Sequence, residues 1–428
     1  MVELQPELVD IVLKQLITID TPLTEVSSAL LSCCLVSHTW RAFAQPLLFS
    51  EVLRRSSRFE HHSERLIETL SRYEYLNNYV KSLSVDVGDL SEPSRSCLLK
   101  LIPRVQELVV VAPSSPIVMP DSAFAELWVN STPFSCLTTL CLQMVDMFPI
   151  DIFYHVPALK RLHLIEAGMS GFSGKDGTPN TGLSIPRERP KLTDLYIFSQ
   201  LEAHDMDILA WFLHPQCAFD LSDLSTCHVI DCADYPVRNF HRSGPFLQSV
   251  CTPKLRNLGF APPSHLLEKH DNLPIYEAFR NLPNLQSVKL VLEEPSEHVN
   301  RYISVISWVA LYFLPKLSHP ERLQELLIPL SFCNSTLDAV RRVPGWDSLD
   351  AVLGSEGSSF RNLDRVHFAL LRLEDRTRSY IMDPMMAFQP TIPLLLPCLS
   401  QRGLLQVGLS PLEGYISENE RRYESPIN

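Results

Sequence analysis

Leu159-Lys-Arg-Leu162-His-Leu164 decides the fold of this chain, because the same spacing returns along most of its length. Upstream it reads Val80-Leu83-Val85, Val105-Leu108-Val110 and Leu137-Leu140-Leu142. Downstream come Leu192-Leu195-Ile197, a weaker copy at Leu224-Cys227-Val229, then Leu255-Leu258-Phe260 and Leu285-Val288-Leu290. Leu323-Leu326-Ile328, Leu363-Val366-Phe368 and Leu404-Val407-Leu409 complete the series. The last two positions of each triplet alternate with period two, so each copy predicts a short strand with one buried face. Pro133, Pro157, Pro190, Pro253, Pro283 and Pro320 stand just before several copies and punctuate a coil segment there. Between copies, Ala123–Val129, Met206–Leu213, Ile275–Phe279 and Tyr302–Leu314 carry the apolar spacing of helices.

Successive copies begin 22 to 41 residues apart. Leucine-rich-repeat solenoids run nearer 20–29 residues per unit, with an Asn after the strand that is missing here. From about residue 79 to 411 the chain therefore resembles an irregular leucine-rich-repeat array, a curved parallel sheet with outer helices. The alternative is an ordinary α/β sheet with helical crossovers. In a solenoid the residues between the buried positions point out of the sheet: Arg161 and His163, Asp194 and Tyr196, Ser287 and Lys289, Arg365 and His367. A face that mixes Arg, His, Tyr and Asp suits contact with a target protein.

Residues 1–50 have a different character. Pro6 suits the first turn of a helix, and Leu8, Ile11, Val12 and Leu16 recur on one of its faces. A second apolar stretch runs from Ala29 to Val36. Ser37 can then cap a third helix with Trp40, Phe43, Ala44 and Leu47 on one side, which Pro46 is expected to end early. Three such short helices have too little interior for all these side chains. An exposed apolar patch among Leu4, Pro6, Leu8, Ile11 and Leu35 is expected, and such patches mark partner sites.

At these residues the chain resembles the F-box family, through Leu4-x-Pro6-Glu7-Leu8-x-x-Ile11, then Leu35-Val36-Ser37-x-x-Trp40, then Leu47-Leu48-Phe49. Gln5 stands where many members have a second proline, and the stretch from Ile17 to Val26 is slightly long. The resemblance implies a helical module that binds the Skp adaptor, and through it cullin, in an SCF-type ubiquitin ligase. It places Leu4, Pro6, Leu8, Ile11 and Leu16 on the docking helix and Leu35, Val36 and Trp40 in the later signature. A three-helix cap closing a larger core is the structural alternative. The whole chain then reads as α/β: an F-box-like module (1–50), a linker with a helix over Ser63–Leu76 (51–78), the repeat array (79–411) and a polar tail (412–428). A Gly- and Pro-rich stretch over 168–190 is expected to be a surface loop or insertion.

Composition bounds the function. At 428 residues, 45% hydrophobic and 20% charged, the chain is an ordinary folded one. A net charge of −12 argues against a general nucleic-acid or anionic-membrane surface. No cleavable signal is expected at the start, and the apolar run Tyr302–Leu314 is too short to span a bilayer. The eleven cysteines have no regular spacing. Cys33, Cys34 and Cys141 fall in apolar stretches and read as buried free thiols of a reducing compartment, cytosol or nucleus.

Chemistry of its own is not indicated. Gly174-Lys175 lacks the spacing and the Ser or Thr of a phosphate cradle. Cys217, Cys227, His228 and Cys232 lack paired metal-ligand spacing, and neither a nucleophile elbow nor an H-E-x-x-H helix occurs. No cofactor or metal is expected. A non-catalytic receptor for a target protein is the reading, with a scaffold outside any ligase as its rival, and an enzyme with a cleft between cap and array as the more distant one.

Overall fold

The repeated triplets become the core. In the computed structural model, every position of every copy from Val80 to Phe368 is buried, the weaker copy at Leu224-Cys227-Val229 included. The structure describes residues 5–16, 23–52, 62–86, 104–111, 134–143, 145, 148–165, 167, 169–170, 188–199, 208–231, 246–260, 278–290, 303–330, 341, 344–370 and 389–409.

Three helices lead: α1 (Pro6–Leu16), α2 (Leu23–Val36) and α3 (His38–Ser50). Strand β1 (Glu51–Val52) follows at once, then α4 (His62–Arg72) and a 3-10 turn over Glu74–Asn78. The next strands are β2 (Ser82–Asp86), β3 (Glu107–Val111), β4 (Thr139–Gln143), β5 (Phe148–Pro149), β6 (Arg161–Ile165) and β7 (Met169–Ser170). They continue as β8 (Asp194–Ser199), β9 (Thr226–Asp231), β10 (Asn257–Phe260), β11 (Ser287–Leu290), β12 (Glu325–Leu330), β13 (Arg365–Leu370) and β14 (Leu405–Leu409). Among the described residues, twelve of these form one sheet in chain order from β1 to β14, and β5 pairs with β7 apart from it. Every pairing is parallel. Strands that stack in chain order, each one repeat after the last, make a leucine-rich-repeat-like solenoid.

One backbone device recurs at each step from β2 to β13. The carbonyl of the residue after the first buried position accepts two N–H groups from the next repeat. Thus Thr138 O takes Lys160 and Arg161, Lys160 O takes Thr193 and Asp194, and Thr193 O takes Ser225 and Thr226. The series runs unbroken from Lys81 O to Gln324 O. It satisfies the polar groups of the turn into each strand, groups that would otherwise be buried at a cost. Thr138 and Ser225 add their hydroxyls to the same carbonyls, at 3.1 Å each.

Helices close the core face of the sheet. Ile67 and Leu70 of α4, Trp211 and Phe212 of the helix Ile208–Leu213, and Trp308 of Ile303–Trp308 join the strand residues in one continuous core. Trp308 stacks on Phe313, with ring centroids 5.6 Å apart. From residue 303 the chain supplies an α-helix to Trp308, and then a π-helical turn over Val309–Phe313. Further on, Asp350 of the helix Trp346–Gly354 is buried, and its carboxylate accepts the N–H groups of Cys398 (3.0 Å) and Leu399 (2.9 Å). It caps the helix Pro397–Gln401 from a neighbouring element.

Three sequence expectations are corrected. Pro46 does not end the third helix, which runs on to Ser50. Leu47 and Leu48 pack on the helical module, Phe49 packs on the repeat core, and the Ser50 hydroxyl donates to Leu47 O at 2.7 Å, so packing holds the last turn despite the missing N–H. The last repeat is read two residues too late: Val366 pairs with Leu405 and Phe368 with Val407, so Leu405 and Val407 are its inward pair. Cys33 and Cys34 are half exposed rather than buried. The segment Ala123–Val129, most of the stretch 168–190 and the tail 412–428 lie outside the described residues; Met169–Ser170 forms β7.

Candidate functional site: two faces at opposite parts of the chain

The first three helices build their own small core. Val9 and Leu13, one turn apart on α1, pack with Val26, Leu30 and Ala44. Ser37 caps α3: its hydroxyl accepts the Trp40 N–H at 3.3 Å and its carbonyl the Arg41 N–H at 3.0 Å. Arg41 returns a bond to Cys34 O across the α2–α3 turn.

This packing uses only one apolar face of α1. The other, with Leu8 (46% exposed), Ile11 (55%) and Val12, faces outward, and Pro6 is exposed beside it. On α2, Leu31, Leu35 (82%) and Val36 are likewise exposed. Trp40 differs, since it is half buried against the module core. Leu4 and the side chain of Leu16 lie outside the described residues.

The second face is the side of the sheet away from the core. One row across it holds Glu107, Thr139, Arg161, Asp194, Thr226, Asn257, Ser287, Glu325 and Arg365, in direct register. Two residues further along each strand, the next row holds Val109, Cys141, His163, Tyr196, His228, Gly259, Lys289, Leu327 and His367. All eight residues read as a target surface fall in these two rows. Arg161 and Arg365 are exposed, and His163, Asp194, Ser287 and His367 are half buried. Tyr196 and Lys289 are buried, at 7% exposure each.

The second of these rows carries the chemistry of this face. Tyr196 lies between His163 and His228, with ring centroids 5.8 Å away on either side. His228 extends over Gly259 of the next strand, where an added Cβ would come within 2.8 Å of its ring. Burial pushes the His228 imidazole down to about 3, with Lys289 and then His163 adding to the effect. His163 is lowered by burial too, against the opposing pull of Asp194. His367 is lowered by burial and by Arg365. Val109, Cys141, Ile165 and Tyr196 form a separate buried apolar cluster here, with Val111 and Phe198 packed on it. Burial lifts the Cys141 thiol to about 12, which leaves it protonated and unreactive. In the first row, Arg365 is ion-paired with Glu325, which also receives the Ser287 hydroxyl at 3.4 Å.

A wide groove of about 1240 Å³ lies elsewhere, at the turns before β8 and β9. Three of its polar side chains are engaged in structure: Arg189 donates to Pro215 O, the His214 Nδ1 accepts the Gln216 N–H, and Asp220 accepts the Ser222 N–H. No group of three or more metal-capable side chains occurs among the described residues. None of their helices is long and apolar enough to cross a membrane.

A scan against protein-family models and a search of curated proteins both return no match. Among solved structures, the crystal structure of Listeria monocytogenes InlP overlaps at 11% identity, over 75% of this chain and 68% of that one, with a TM-score of 0.26. So loose an overlap carries no argument. The solenoid rests on the register, the carbonyl ladder and the buried triplets.

Proposed function

We propose that this chain is a substrate-recognition adaptor of an SCF-type cullin–RING ubiquitin ligase. The helical module binds the Skp adaptor, and the open face of the repeats binds a target protein. The observation that carries this reading is the double-faced α1. Val9 and Leu13 complete a core, while Leu8, Ile11 and Val12 remain outside it, together with Leu35 and Val36 of α2. A solvent-exposed set of aliphatic side chains at this density fits an apolar partner surface. The protein then acts by proximity, and no residue here performs chemistry.

The test is co-purification with the Skp adaptor, comparing wild type with the double substitution Leu8→Asp and Ile11→Asp. Both positions are outside the module core, so the fold is retained and adaptor capture is lost. Wild type failing to capture the adaptor, or the double variant capturing it equally well, overturns the proposal. A second reading has its own support. The Lys81 N–H bonds Ser50 O, and β1 pairs with β2, so the module also closes the first edge of the sheet. A scaffold outside any ligase needs no more than that closure.

A further inference from the structure

We infer that the rim of the sheet at the N-terminal ends of β2 to β10 is a docking surface for an acidic, extended segment of the target protein. This rests on reading the open face as the target surface. The chain as a whole is acidic, with a net charge of −12, but this rim is not. Lys81, Arg104, Lys160, Arg161 and Arg256 all sit at the turn into a strand or on its first residue, all are exposed, and none forms an ion pair among the described residues. Only Glu107 and Asp194 oppose them from the first positions of β3 and β8. Lys191 and Lys254 flank Asp223 from the repeats on either side, so that trio is also net positive.

The spacing of the charges fits one geometry. Neighbouring strands lie about 4.8 Å apart, so the three steps from Lys160 beside β6 to Arg256 beside β10 cover about 14 Å, and the six steps from Lys81 cover about 29 Å. An extended peptide rises about 3.3 Å per residue, so about nine residues laid across the strands match the whole strip, and one carboxylate in about four matches the span from Lys160 to Arg256. Exposed cations unpaired among the described residues retain their attraction for such a chain, and salt screens it.

The experiment measures fluorescence anisotropy of a labelled decapeptide of alternating Glu and Ser on the full chain. Binding is expected to weaken steeply with added salt. Lys160→Glu with Arg256→Glu weakens it at least tenfold, whereas Lys14→Glu, on α1 of the helical module, leaves it within twofold. Lys160→Gln with Arg256→Gln, milder for folding, gives an intermediate loss. No binding at millimolar peptide, equal losses in the two charge-reversed proteins, or tighter binding of a thymidylate hexamer than of the peptide overturns the inference. Adaptor capture is scored separately on the same proteins, so failure at the rim and failure of the ligase reading are distinct results.

Discussion

Acid should destabilise this protein through His228. Its imidazole is held down to about 3 in the folded state, chiefly by burial. The unfolded chain takes up a proton near pH 6.5, and the folded chain refuses it until about pH 3. Stability is therefore full above pH 6.5 and falls as pH drops through the interval, by about 1.4 kcal/mol for each pH unit. From pH 6.5 to pH 5 the loss from this one residue is about 2 kcal/mol, a large share of the roughly 5–15 kcal/mol that stabilises a domain. Urea unfolding of wild type and of His228→Gln at pH 7, 6 and 5 measures it. The substitution shifts the absolute stability, so the comparison is between slopes against pH. His163 and His367 keep their own downward shifts in both proteins and leave a common residual slope. Indistinguishable slopes in the two proteins would show that His228 accepts a proton without leaving its place over Gly259, and the reasoning would fail.

Other outcomes follow from single contacts. Gly259→Ala drives a methyl to 2.8 Å from the His228 ring and should cost about 1–3 kcal/mol by overpacking, relieved when combined with His228→Ala in a double-mutant cycle. Leu162→Ala, at a fully buried rung centre, should cost about 2–5 kcal/mol in thermal or urea unfolding. Asp350→Ala leaves the Cys398 and Leu399 N–H groups without their acceptor, and should cost about 1–3 kcal/mol with faster hydrogen exchange over 397–401.

The solenoid was legible because it depends on a local rule repeated many times. Any one triplet is ambiguous, but the inward rows agree from Val80 to Phe368. The rule slipped at the last copy, where Leu404, Leu405 and Leu409 offer two registers and only pairing with β13 chooses between them. Pro46 misled for a similar reason: the sequence shows the missing N–H but not Phe49 seated in the repeat core. On α1, spacing located apolar side chains without showing that Val9 and Leu13 are the pair taken into the module core. The open face was legible as to which residues share it. How deep each one sits was not, since Tyr196 and Lys289 owe their burial to residues far away in the chain.

The closure of the first edge has a practical side. With α3 feeding β1 and Ser50 O taking the Lys81 N–H, β2 is an interior strand. Removing residues 1–52 would turn Ser82–Asp86 into a bare parallel edge beside the site vacated by Phe49, open to pairing with any stray strand. Such a shortened chain would report on aggregation as much as on target recognition, so the array is best studied with its helices attached.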